Sequence, residues 1–235
     1  MSDEPGRFVY RWPRPAVTVD VVLFGLAPAG TPAALEVLLI ERDREPFAGS
    51  WAFPGGFINS NEDLEAAARR ELAEETGVSD LYLEQLYTFG GAGRDPRGHT
   101  VSVAYYGLVR RLDHAPVGGS DARQAGWFPV TQVPALAFDH AAILAVALAR
   151  LRGKLRYRPI GFSLLPEAFT LADLQALYET VLGRPLDKRN FRRKVESMGI
   201  LVPTGAERRG PHRAAALFRF DAARYAELDD EAFLL

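Results

Sequence analysis

The chain has 235 residues, 48% hydrophobic and 25% charged, with no cysteine, a length that exceeds one ordinary domain and allows two. The missing cysteines exclude disulfide staples and thiolate chemistry. No apolar run approaches the roughly 20 residues of a membrane span, and the polar start MSDEPGRFVYRWPRP has no signal-peptide core, so a soluble cytoplasmic protein is expected. In chain order, residues 16 to 27 (AVTVDVVLFGLA) and 34 to 43 (ALEVLLIERD) read as two strands joined by a Pro/Gly turn. In the REPFAGSWAFPGG segment that follows, Phe47, Trp51 and Phe53 either line a pocket or fill the core, the commoner use of large aromatics.

Next comes GGFINSNEDLEAAARRELAEETGV, residues 55 to 78. Ser60 and Asp63 have the spacing of a capping box, with Asn61, Glu62 and Asp63 at its start, so a helix is predicted from about residue 61, ended by Gly77. Glu71, Glu74 and Glu75 stand at i, i+3 and i+4, on one helical face. Like charges so placed repel unless a cation sits among them. Hard oxygen donors without nearby Cys or His suit Mg²⁺ or Mn²⁺ rather than zinc. Arg70 is placed to pair with Glu62 or Glu71, and Pro54, Gly55 and Gly56 predict a tight turn that lets backbone groups approach a ligand.

The spacing of Gly56, Glu62, Arg70, Glu71, Leu72, Glu74, Glu75, Gly77 and Val78 resembles, without a departure, the signature box of the Nudix hydrolases. Seven of these positions each demand one residue type, so a chance match is on the order of 10⁻⁸ per starting point. The resemblance implies catalytic roles for Arg70, Glu71, Glu74 and Glu75, with Glu71 and Glu75 the main metal ligands, Glu74 a helper, and the Gly56 carbonyl completing the shell. Phe57, beside that glycine, becomes a candidate substrate contact.

Residues 81 to 90 and 99 to 110 read as a long hairpin whose loop, GAGRDPRG, is basic and Gly-rich. QLYTFG together with RDPR resembles a signature of Nudix proteins that handle ADP-ribose; Arg94 and Arg97 then contact phosphate or ribose, or else belong to a solvated turn. The loop after residue 112 carries Asp113 and Asp121 and leads into Trp-Phe-Pro on a late strand. By the same resemblance Asp121 is a candidate substrate-site carboxylate and general base, the plain alternative being a surface Asp. Residues 138 to 155 are apolar at helical spacing, with Asp139 as N-cap; His140, like His99 and His114, has no second ligand at metal spacing and reads as ordinary.

A Pro-containing bridge at 156 to 169 leads to a different organisation. Thr170 with Asp173 forms a capping box for LADLQALYETVL, stopped by Gly183, and Asp187 caps KRNFRRKVESM, stopped by Gly199, giving a helix-turn-helix. Phe191, Val195 and Met198 mark the inner face of the second helix. ILVPT and AAALFRF then read as strands around a basic hairpin like the wing of a winged helix. The net charge of −2 is uneven: nine Lys or Arg against three acids give +6 between 186 and 220, and −8 elsewhere. Lys188, Arg189, Arg192 and Arg193 on the helix, with Arg208, Arg209 and Arg213 near the wing, are the candidate contacts to duplex DNA; a protein-interaction surface is the alternative.

The expected class is α+β: a Nudix fold, a mixed sheet sandwiched between helices, over 1–155, then a winged helix-turn-helix over 156–235. That combination resembles the Nudix-related transcriptional regulators, which implies a homodimer on two-fold DNA, with ADP-ribose or a related NAD-derived nucleotide adjusting its binding. Many such regulators have degraded boxes; this one is intact, so pyrophosphate hydrolysis is expected as well. The rival reading is a housekeeping pyrophosphatase whose second domain serves dimerisation or protein interaction.

Overall fold

A computed structural model describes residues 11–27, 31, 33–79, 81–111, 122–156, 158, 160–209 and 214–227. Strand β1 (Ala16–Leu26) is apolar on both faces, and pleating sends Val19, Val21 and Leu23 to one side and Val22 and Phe24 to the other. Strands β2 (Leu35–Arg42), β3 (Trp51–Ala52), β4 (Gly55–Phe57), β5 (Leu83–Phe89), β6 (Thr100–Val109) and β7 (Ala122–Pro129) complete one sheet. Its order is β3-β2-β1-β6-β5, with β4 added to β1 and β7 to β2; β1 and β6 run parallel and the other pairs antiparallel.

A sheet apolar on both faces must be covered twice. Helix α1 (Leu64–Thr76) lays Ala67, Ala68 and Leu72 on the Val19 face, and α2 (His140–Leu155) lays Ile143, Leu144, Ala147 and Leu151 on the Val22 face. This is the expected sandwich. Truncating the fully buried Leu72 to alanine would cost about 2–5 kcal/mol. The same pleat puts Asp20 on the α2 side, where it is buried among polar partners.

One local expectation fails. Helix α1 begins at Leu64, not near residue 61, and Asp63, its N-cap, makes no side-chain capping bond. Glu62 is diverted: its carboxylate accepts from the Asn59 amide at 2.9 Å and grips Arg70, while Asn61 takes a left-handed φ of 63°. The Ser60–Asp63 box therefore never forms. Gly77 does close the helix, with φ 72° and its amide on Ala73 O.

Beyond α2, a 3-10 turn (Ile160–Leu164) precedes α3 (Leu171–Leu182), α4 (Lys188–Ser197), β8 (Leu201–Arg208), β9 (Ala215–Phe220) and the short α5 (Ala222–Ala226). Both bonds of the Thr170–Asp173 capping box are made, and the Asp187 carboxylate accepts from the Asn190 amide. Phe191, Val195 and Met198 are buried. The core runs unbroken from α2 into this region, joining Leu151 and Leu155 to Phe162, Leu177 and Tyr178. An apolar groove of about 720 Å³, lined by Tyr82, Tyr106, Phe162 and Phe220 among others, lies along this junction. No helix among the described residues is long and apolar enough to cross a membrane.

Candidate functional site

The glycine turn is placed by the sheet. Pro54 O accepts from the Val21 amide at 2.8 Å, and β4 runs beside β1 with Gly56 opposite Val19. Packing of α1 below brings Glu71 and Glu75 to the turn. The Gly55 amide donates to Glu75 Oε2 at 2.8 Å, and a Cβ on Gly56 would lie 2.4 Å from Glu71 Oε1. Only glycine leaves that carboxylate its place.

Arg70 organises the acids around it. Its Nε and Nη2 donate to Glu62 at 2.7 and 2.9 Å, and its Nη1 donates to Glu71 at 2.8 Å and to Glu74 at 3.4 Å. Nη2 also reaches Phe57 O at 3.2 Å. The Arg70 hydrogen bonds pull Glu62 down to about 2. Burial acts oppositely on Glu71 and, despite Arg70, holds its carboxyl above the ordinary range. Glu74 is half exposed. The three glutamates thus share a face as expected but fan apart, one on Arg70 and Gly56, one on the Gly55 amide, one toward solvent. Among the described residues no three acidic or imidazole side chains are gathered at metal-ligand spacing. The donor chemistry nevertheless fits a hard cation: carboxylate oxygens, one of them desolvated, beside a backbone that only glycine lets come so close.

The opposite wall is a buried ionic network. Ser102 Oγ donates a short bond to Asp20, and His140 Nε2 stands 3.4 Å from the other Asp20 oxygen. His140 Nδ1 accepts from the Phe53 amide at 3.0 Å, which leaves Nε2 to face Asp20. Burial alone would raise Asp20, but His140, Ser102 and Arg94 together hold it below the ordinary carboxylate range. Arg94 clamps both oxygens of Asp139, at 2.9 and 2.6 Å, and is 3.7 Å from Asp20. Arg97 is locked on Asp95 and lies over the rings of Phe57 (4.9 Å) and Phe138 (5.7 Å).

Together these walls bound a cleft of about 510 Å³ lined by Gly56, Phe57, Arg70, Glu71, Glu74, Glu75, Arg94, Arg97, Asp20 and His140 among others. Eight sequence-nominated residues therefore meet in one place. One reading is corrected: His140 is not ordinary but buried in the network. Asp139 is the N-cap residue as expected, but its carboxylate is drawn off by Arg94 and makes no capping bond. Asp20 escaped the sequence reading, although a lone acid inside the apolar run VTVDVVLFG was a usable signal. Phe53 is buried, stacked on His140, and also lines the cleft, Trp51 is half-buried against Phe128, and Phe47 is exposed and packed on Phe138. Asp113 and Asp121 lie outside the described residues.

On the second unit, Lys188 and Arg189 are exposed and form no ion pair among the described residues; Arg193 is exposed and donates to Asn190, while Arg192 is half-buried. Arg208, a candidate DNA contact near the wing, has a partner within the chain. Its guanidinium pairs with Asp173 at 2.8 Å and also donates to Thr170 Oγ1, tying the wing to the start of α3. Arg209 is exposed, and Arg213 and His212 lie outside the described residues.

Comparison with known proteins agrees with this architecture. Residues 14–151 match the NUDIX domain and residues 161–220 the NrtR DNA-binding winged helix domain. The chain is 37% identical over 224 residues to the ADPR responsive transcriptional repressor NtrR of Acinetobacter baylyi, covering 91% of this chain and 85% of that protein. It superposes on Shewanella oneidensis NrtR complexed with a 27mer DNA with a TM-score of 0.77 and 37% identity, over 89% of this chain and 95% of that one. The Nudix domain of the same Shewanella protein complexed with ADP ribose matches 60% of this chain and 90% of its own length, with a TM-score of 0.53 and 39% identity. An intact box on a glycine turn, joined through one continuous core to a capped helix-turn-helix and wing, makes this chain a member of the Nudix-related NrtR family.

Proposed function

We propose that the chain is an ADP-ribose-responsive DNA-binding regulator that also hydrolyses the pyrophosphate of ADP-ribose, or of a related NAD-derived nucleotide. The observation that carries this reading is the cleft, where box carboxylates and the RDPR arginines face one another across a space of nucleotide size. Glu71, Glu74, Glu75 and the Gly56 carbonyl would hold a divalent cation, Mg²⁺ or Mn²⁺. Such an ion supplies positive charge to the pyrophosphate and lowers the pKa of a bound water. Arg70 orients Glu71 and Glu62, Arg97 presents its guanidinium between two aromatic rings, and Phe57 offers an exposed ring to the ligand. His140 and Asp20 hold the Phe53 end of the glycine turn from beneath.

The winged helix, residues 156–235, would read double-stranded DNA as a homodimer in the cytoplasm, with Lys188, Arg189, Arg192, Arg193 and Arg209 contacting phosphate or bases. The deciding experiment combines a nucleotide panel with Mg²⁺ and fluorescence anisotropy on duplex DNA from upstream of the chain's own gene, with and without ADP-ribose. Release of AMP and ribose 5-phosphate together with an ADP-ribose-dependent change in DNA affinity is expected. Hydrolysis without specific DNA binding would leave the pyrophosphatase reading; no turnover and no ADP-ribose binding would overturn the cleft assignment.

A further inference from the structure

Regulation needs the cleft to be felt by the winged helix, and α2 spans the distance. Its 16 residues extend about 24 Å. Its N-cap residue, Asp139, and its first residue, His140, belong to the cleft network. Its last turn enters the second unit: Arg152 Nε donates to Val181 O near the end of α3 at 3.0 Å, and Leu155 is fully buried. There the packing is tight, since a Cβ on Gly161 would meet Leu177 at 2.7 Å and Leu155 at 3.2 Å.

The cleft end of this helix is held in an unusual way. Asp139 is at the N-cap position, where a carboxylate ordinarily accepts from amides of the first turn, yet its oxygens are both taken by Arg94. Arg94 is only 6% exposed but borders the cleft. An anionic ligand entering the cleft therefore meets a guanidinium whose Nε and Nη2 are already committed to Asp139.

We propose that the Arg94–Asp139 pair is a latch that reports nucleotide occupancy of the cleft to the winged helix through α2. This rests on the reading that a pyrophosphate enters the cleft. When its oxygens take Arg94, Asp139 is released to the amides of the first turn of α2, where the helix dipole favours a negative charge. The helix start then adopts a second arrangement, and the Arg152 contact carries the change to the C-terminal end of α3. Both arrangements use the same residues, as a two-state coupling requires.

The sign of one effect separates a latch from a structural prop. Removing Asp139 strips Arg94 of its hydrogen-bonded carboxylate and leaves Asp20 at 3.7 Å, so ADP-ribose should bind more tightly, whereas loss of a prop would loosen the site. The test measures ADP-ribose binding by calorimetry without divalent ions, and DNA affinity with and without ADP-ribose, in full-length wild type, Asp139→Ala, Asp139→Asn and Arg152→Ala. Asp139→Asn keeps the capping capacity should alanine compromise folding. The expected result is ADP-ribose affinity raised about fivefold or more in the Asp139 variants, with DNA affinity no longer responding to the nucleotide. Arg152→Ala should keep wild-type ADP-ribose affinity and lose the response. Weaker or unchanged nucleotide binding in folded Asp139 variants, or a response preserved in them or in Arg152→Ala, overturns the latch alone. A wild-type chain that does not bind ADP-ribose overturns the functional reading and the latch with it.

Discussion

The cleft and the outer face of α4 are both rich in arginine, but they hold their charge differently. In the cleft three guanidinium groups are held by carboxylates of the same chain: Arg70 by Glu62 and Glu71, Arg94 by Asp139, Arg97 by Asp95. On α4, Lys188 and Arg189 stand exposed without an ion pair among the described residues. A small ligand must be met by groups already fixed at the right angle, so orientation is built in beforehand. A polyanion is met by a field, and mobile surface cations releasing counterions from it suffice. The two regions thus use one residue type for geometry and for potential.

The sharpest way to break that contrast is Glu71→Gln. It removes a carboxylate at the glycine turn while keeping its shape, and divalent-dependent hydrolysis of ADP-ribose should fall by at least about 10²-fold; turnover within about threefold of wild type would refute the assignment. Next in size is the double change Lys188→Ala with Arg189→Ala. Loss of two phosphate contacts should lower the slope of log affinity against log salt by about 2, measured by anisotropy across a salt series, with ADP-ribose hydrolysis untouched. Arg208→Ala should change DNA affinity less than that pair does, because its guanidinium is already committed to Asp173; the cost appears instead as a lower Tm. An equal or larger loss of DNA affinity would show that Arg208 leaves its partner for phosphate.

The subtlest effect is in pH. Glu71 has a folded value raised by burial, so the folded chain keeps its proton to higher pH than the unfolded chain does. Its contribution to stability is present below the ordinary 4.5 and is lost as pH rises through the raised value. A divalent cation needs the ionised form. The Tm gain given by Mg²⁺ should therefore shrink as pH falls from neutrality toward 4.5, and should become flat in Glu71→Gln. A gain that is independent of pH in wild type would place the cation elsewhere.

What the sequence made legible was what lies close along the chain. The caps at Gly77, Thr170 and Asp187, the strands, and the acidic face of α1 all follow from residues within a few positions of one another. The partly hidden part is the network beneath the cleft, whose bonds join Ser102 to Asp20 across 82 positions, Phe53 to His140 across 87 and Arg94 to Asp139 across 45. No local period marks such pairs. The misplaced start of α1 has the same cause: Glu62 looked like a first-turn acid, but Arg70, eight residues on, recruits it.

The neighbouring glycines 55 and 56 differ in what a methyl group would strike. At Gly55 it would meet Val19 backbone oxygen at 2.1 Å, an immovable neighbour, whereas at Gly56 the nearest atoms are the tip of the Glu71 side chain. A single Gly56→Ala change should therefore displace the Glu71 carboxylate, a flexible side-chain end, without striking backbone among its nearest neighbours. Within such a chain a lineage could shed turnover in one mutational step and still keep a receptor for the uncut nucleotide.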